Sequence, residues 1–158
     1  MSQRDPITCH ILDTTLGLPA RNVIVQIHRV VETDTETNPD YKVLPPFARA
    51  KTNNDGRVVN WVFDPKLPNQ QQEQETDSDY GETGVRDGKW VKLVPGLYKV
   101  KFLTGKYFKD LATSGNGDGT ASRTFFPFVE VVFEVDDLKH YHIPLLLSNF
   151  SYTTYRGS

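Results

Sequence analysis

Four stretches of this chain carry side chains that could act on a substrate. His10 follows Cys9, Arg57 follows an Asn54-Asp55-Gly56 turn, His140 and His142 stand two residues apart, and the chain closes on Tyr155-Arg156-Gly157-Ser158. A neutral histidine, titrating near about 6.5 when unperturbed, can take a proton from water at neutral pH. A guanidinium is permanently charged and offers a planar fork of donors, suited to holding substrate oxygens and a developing oxyanion. Cys9 beside His10 suggests a thiol with its base, but neighbours in a strand face opposite ways, so the pair cannot form a dyad. His140 and His142 share a face and could share an ion. No Cys or carboxylate stands near them at zinc-site spacing, however, so no metal and no other cofactor is expected. His28 has no evident partner and reads as a surface residue. The closing residues, with their aromatic rings, guanidinium, flexible Gly157 and terminal Ser158, have a composition suited to docking in a groove.

Strands must position these groups, because alternation dominates the chain. Ile7, Cys9 and Ile11 point one way and Thr8, His10 and Leu12 the other. Val23, Val25 and Ile27 oppose Ile24, Gln26 and His28. Tyr98, Val100 and Phe102 alternate with Lys99 and Lys101, and Val129, Val131, Phe133 and Val135 with Glu130 and Glu134. In His140–Ser148, the residues Tyr141, Ile143, Leu145 and Leu147 oppose His140, His142 and Leu146. Arg57 opens a further strand, Val58–Phe63. Turns at Asn54-Asp55-Gly56, Pro95-Gly96 and Asn116-Gly117-Asp118-Gly119 punctuate the runs. Many short strands at this spacing predict an all-β, two-sheet sandwich. One short helix is expected near Gly105–Ala112, with Tyr107, Phe108 and Leu111 covering a sheet edge. Thr33–Pro46 and Pro65–Gly88 are polar and read as solvated loops inserted in a single domain, residues 1–158.

The totals exclude several classes. With 158 residues, one core can bury roughly 70% of the unfolded surface. A net charge of −2 with interspersed signs leaves no basic footprint for nucleic acid or anionic lipid. No apolar run approaches the roughly 20 residues that cross a bilayer. The lone Cys9 fits a reducing compartment. The first residues lack a signal peptide's apolar stretch, and Arg-Gly-Ser is not a peroxisomal Ser-Lys-Leu type tail, so a cytoplasmic location is expected, with a peroxisomal one as the alternative.

Taken in order, several segments resemble the 5-hydroxyisourate hydrolases, the enzymatic branch of the transthyretin-like family. They are Ile7-Thr8-Cys9-His10-Ile11-Leu12-Asp13-Thr14-Thr15-Leu16-Gly17, Thr52-Asn53-Asn54-Asp55-Gly56-Arg57, Tyr107-Phe108, Phe125-Phe126-Pro127, the run His140–Ser148, and Tyr155-Arg156-Gly157-Ser158. The resemblance implies a transthyretin-like sandwich of two four-stranded sheets, assembled as a homotetramer (a dimer of dimers) with sites at the dimer–dimer interface. It implies water-driven opening of 5-hydroxyisourate at a ring amide, giving 2-oxo-4-hydroxy-4-carboxy-5-ureidoimidazoline in urate degradation. Carried over by position, the catalytic residues are His10, Arg57 and His142, and Tyr155, Arg156, Gly157 and Ser158 bind substrate. The base role falls on the His10/His142 pair without a choice between them. The same fold also hosts transthyretin, a hormone carrier, so a non-catalytic small-molecule carrier is the alternative. That branch replaces the histidines and lacks the terminal tetrad, both present here. Asn149 where the family commonly has Pro, Leu18 where a basic residue is frequent, and the long polar loops depart from the pattern.

Overall fold

The computed structural model describes residues 4–33, 36–37, 39–67, 79–114 and 123–158. Its first sheet contains β1 (Ile7–Asp13), β2 (Leu18–Pro19), β5 (Arg57–Val58), β11 (Tyr141–Leu147) and β12 (Tyr152–Thr154). The order is β12-β11-β1-β2, with β5 also paired to β1. The second sheet, β10-β9-β3-β4-β6, contains β3 (Ile24–Glu32), β4 (Tyr41–Lys51), β6 (Val62–Phe63), β9 (Gly96–Phe102) and β10 (Val129–Val135). A small hairpin, β7 (Val85–Arg86) with β8 (Lys89–Trp90), pairs with neither sheet but buries Trp90 in the core. The two-sheet sandwich expected from alternation is present. Each main sheet has five strands, where the resemblance implied four, because the two-residue strands β2 and β6 add to them.

Alternation decides what each sheet buries. Ile7, Cys9 and Ile11 of β1 and Leu145 of β11 are fully buried, as are Val25, Ile27, Tyr98, Val100 and Phe102 from the other sheet. Each such aliphatic side chain contributes about 1.5–3 kcal/mol by leaving water. Cys9 is a free, buried thiol pushed well above its ordinary value by desolvation, as a core residue and not a nucleophile. The helix α1 (Thr104–Ser114) covers the expected segment. Phe108 and Tyr107 are buried on it, and the Tyr107 hydroxyl donates to Asp13 Oδ2 at 2.8 Å, which pins the helix to β1. Among the described residues no helix is long and apolar enough to cross a membrane.

Three sequence expectations need correction. The strand Val58–Phe63 is broken: Arg57–Val58 pairs with β1, whereas Val62–Phe63 pairs with β4 in the other sheet. Between them Trp61 is buried and donates from Nε1 to the Ile7 carbonyl at 2.8 Å and from its backbone N–H to Asp5 Oδ2 at 2.7 Å, which fixes the crossover. Next, Tyr41–Pro46 is strand and not loop, as the first half of β4. The register of β3 against β4 shifts on both sides of His28, which pairs with Pro46. An irregular ladder of that kind tolerates a residue without an N–H, which is how Pro45-Pro46 enters a strand. Finally, the far end of the Pro65–Gly88 stretch is seated on the protein: Tyr80 and Val85 pack against the core and Thr83 is buried. The Gln70-Gln71-Gln72 part of that loop and the Asn116–Gly119 turn lie outside the described residues.

Candidate active site

The pairing of β1 with β11 is parallel, and it builds the site. Thr8 lies opposite His142 and His10 opposite Pro144, while on its other side His10 lies opposite Arg57 of β5. Paired residues project to the same face. The outer face of the first sheet therefore gathers Thr8, His10, His142 and Arg57, which come from three strands. The His10 and His142 rings are 6.3 Å apart between centroids, tilted by 31°.

Arg57 reaches this face because of the turn before it. Asn53 accepts on Oδ1 from the backbone N–H of Asp55 at 2.9 Å and of Arg57 at 3.0 Å. Gly56 has φ 71°, and a Cβ there would stand 2.5 Å from the Ile11 carbonyl oxygen. Only glycine allows the turn to lie this close to β1. In return Ile11 donates its N–H to the Gly56 carbonyl at 2.8 Å, locking Arg57 beside His10.

The tail arrives from the opposite edge. Strand β12 runs antiparallel to β11, with Thr154 opposite Leu145, and Thr154 Oγ1 donates to the Pro144 carbonyl at 2.7 Å. Three residues later the Gly157 N–H donates to the His142 carbonyl at 2.9 Å. A Cβ at Gly157 would stand 2.7 Å from His142 Cδ2, so this glycine too is required by close approach. Arg156 lies with its guanidinium 4.4 Å from the Tyr141 ring centre and 3.5 Å from Asp137 Oδ1, an anchor for the tail. Tyr155 and Ser158 are exposed.

The electrostatics favour neutral imidazoles. Desolvation is the largest cause holding His142 below its ordinary value, followed by the Arg57 cation and then His10, His140 and Arg4. His10 is lowered by desolvation and then by Arg57, partly offset by a hydrogen bond to the Asp55 backbone and by the Asp55 charge. A half-buried neutral histidine beside a guanidinium can accept a proton from water while the cation holds negative charge.

Structure thus brings His10, Arg57, His142 and Gly157 together, and it adds Thr8, which sequence reasoning had not singled out. Thr8 is buried, and its Oγ1 lies 2.7 Å from His142 Nδ1 and 2.9 Å from His140 Nε2. Its signal was available: Thr8 is two residues before His10 on the same strand face. His28 departs from its surface reading. It is buried in the second sheet, with Nδ1 donating at 2.7 Å to the carbonyl of Leu44 on β4, the strand paired beside it at the irregular register.

Comparison with known proteins gives the chain its relatives. The model of the HIUase/Transthyretin family matches residues 7–157. A probable 5-hydroxyisourate hydrolase of Schizosaccharomyces pombe is 31% identical, over 99% of this chain and 94% of its own length. The 5-hydroxyisourate hydrolase of Deinococcus radiodurans is 34% identical, over 100% of both chains. Among solved structures, Klebsiella pneumoniae 5-hydroxyisourate hydrolase superposes with a TM-score of 0.56 at 24% identity, covering 96% of this chain and 98% of that one, a likeness of fold.

Proposed function

The chain belongs to the HIUase/Transthyretin family, and we propose that it is a hydrolase that opens 5-hydroxyisourate in urate degradation. The observation that carries this reading is the convergence of His10, Arg57 and His142 on one outer sheet face, with the tail bonded to the His142 carbonyl. Full-length relatives that bear the hydrolase name support it. The family includes carriers as well as enzymes, and the fold alone does not choose between them. Two neutral bases beside a guanidinium supply what hydrolysis needs.

One imidazole of the His10/His142 pair takes a proton from water as its oxygen bonds to the ring amide carbon. Arg57 holds the negative charge that gathers on the carbonyl oxygen. The tetrahedral centre then collapses, the carbon–nitrogen bond breaks, and the imidazolium returns the proton to the departing nitrogen. The product is 2-oxo-4-hydroxy-4-carboxy-5-ureidoimidazoline. Tyr155, Arg156, Gly157 and Ser158 close the side of the site next to His142, with Arg156 anchoring the segment and Gly157 and Ser158 nearest the substrate.

The working form is a homotetramer. His10, His142, Leu12 and Leu146 are only half-buried in one chain, and Arg57 is exposed. A second such face packed across a two-fold axis makes a drier, shared channel. A reduced, buried Cys9 fits a cytoplasmic setting. The direct test adds the protein to freshly generated 5-hydroxyisourate and follows its ultraviolet decay. Decay many orders faster than the spontaneous rate is expected, and decay at the spontaneous rate would overturn the reading.

A further inference from the structure

The Thr8 hydroxyl touches two histidines, yet it has only one proton to give. Its oxygen is 2.7 Å from His142 Nδ1 and 2.9 Å from His140 Nε2, and the two rings stack with centroids 6.4 Å apart. Thr8 is 3% exposed, so little water competes for these bonds. A hydroxyl can donate once and accept twice, and a neutral imidazole donates from one nitrogen and accepts at the other. Two directions are therefore open. Either Thr8 donates to His142 and accepts from His140, or it accepts from His142 Nδ1–H and donates to His140 Nε2.

The surroundings select the second direction. Protonated His142 carries N–H on both nitrogens, so Nδ1 must then donate; only the second direction survives proton uptake unchanged. In it, the lone pair of neutral His142 sits on Nε2. The neighbouring ring carbon, Cδ2, is the one that Gly157 packs against, so this edge of the ring faces the tail. Arg57 also lies within electrostatic reach of His142, and a cation favours a nearby lone pair over a nearby N–H. His10 differs, because its ring bonds to the Asp55 backbone directly, without a relay.

We propose that Thr8 and His140 are positioning residues that fix His142 as its Nδ1–H tautomer and so make its Nε2 the base that activates water. The order is His142 Nδ1–H to Thr8 Oγ1, then Thr8 O–H to His140 Nε2. It has the logic of a catalytic triad, with a neutral imidazole where an orienting carboxylate would stand. The inference rests on the hydrolytic reading of this face and resolves which histidine of the pair takes the proton.

Nitrogen-15 NMR of the imidazoles in the full-length protein tests it without requiring turnover. His142 is expected as Nδ1–H at neutral pH in the wild type, and shifted toward Nε2–H in Thr8→Val and in His140→Leu. In the ring-opening assay each variant should lose roughly tenfold to a hundredfold in kcat, the size that an outer partner of a functional histidine carries. KM should barely move. Thr8→Ser, which keeps the hydroxyl, should recover most of the loss. The double variant should be no worse than either single one, because both break one chain of bonds. His140 is partly exposed, so His140→Leu serves if Thr8→Val does not fold. A wild-type His142 found as Nε2–H, or a Thr8→Val enzyme with wild-type kcat, overturns the relay. Absence of ring opening by the wild type, with the tautomer as expected, overturns only the reaction assigned to the site.

Discussion

His142 and His28 start from the same physics and end in different roles. Each is on a central strand, each is held below the ordinary imidazole value chiefly by desolvation, and each has its Nδ1 in a short hydrogen bond. His28 donates to the carbonyl of Leu44, a group that can only accept, and its Nε2 is buried without a hydrogen-bond partner. Its second nitrogen thus faces protein on all sides. His142 bonds a hydroxyl that is itself bonded to His140, and its other edge meets His10, Arg57 and the tail. A depressed imidazole value is thus a poor marker of function by itself. What separates the two is whether the second nitrogen meets an open, charged face or is shut inside the protein.

The largest test of that contrast is removal of each ring. His142→Ala, His10→Ala and Arg57→Ala should each lower turnover of 5-hydroxyisourate by about 10²–10⁴-fold. Strand content by circular dichroism should be retained. His28→Ala should turn over at close to the wild-type rate per folded molecule. Equal losses at positions 28 and 142 would mean that burial, and not placement, had been read as function.

Next in size is the tail. Gly157→Ala puts a methyl 2.7 Å from His142 Cδ2 and 3.1 Å from its carbonyl oxygen, so the segment must lift off β11. A displacement near 1 Å at a catalytic constellation costs about 10²-fold. Thermal unfolding should change little, since the residues beyond β12 bury almost nothing of the core. Wild-type turnover in this variant would place the tail outside the site.

A smaller effect is expected in the pH profile. The groups facing His142 are Arg57, His10, His140 and Arg4, and all of them lower its value, after desolvation. The acid limb of kcat/KM should therefore fall with a midpoint below the usual value of about 6.5. Arg4→Gln removes one of these cations and should move the limb toward higher pH, leaving the plateau rate intact. Movement toward lower pH would contradict the assignment of His142 as a base that must be neutral.

Much of the candidate site was legible because alternation tells which face a residue occupies. It put His10 outward from Cys9, and His142 outward from Tyr141 and Ile143, and the Asn-Asp-Gly turn marked Arg57. Alternation does not tell which strand lies alongside. That β1 and β11 run parallel, with Thr8 opposite His142, follows from packing across the whole chain. The same limit explains His28, which was correctly placed opposite Val25 and Ile27 but lacked the neighbouring strand whose Leu44 carbonyl it meets. That strand contains Pro45-Pro46, an unfavourable pair for a regular ladder, and it forms only because the register breaks there. Val58–Phe63 misled for a related reason: an apolar run can leave one sheet and enter another when a buried Trp61 pins the crossing.

The smallest expected effect concerns His28 and bears on stability alone. Its value is lowered in the folded chain by desolvation first, then raised by the Leu44 bond, lowered by Lys99 and Lys101, and raised by Glu130. A histidine whose folded value is depressed favours the unfolded chain when protons are abundant. Its contribution is complete above the unfolded value of about 6.5 and is lost as pH falls toward the folded value. At neutral pH, His28→Ala should cost about 1–3 kcal/mol, because the Leu44 carbonyl loses its donor in a covered position. At pH 5.5 that difference should narrow, since the wild type alone then bears the cost of keeping an imidazole neutral. Denaturant unfolding at the two pH values measures this directly, with His10 and His142 present in both proteins and so cancelling. A difference that stays constant would show that His28 accepts a proton where it lies, and the contrast with His142 would then lose its physical basis.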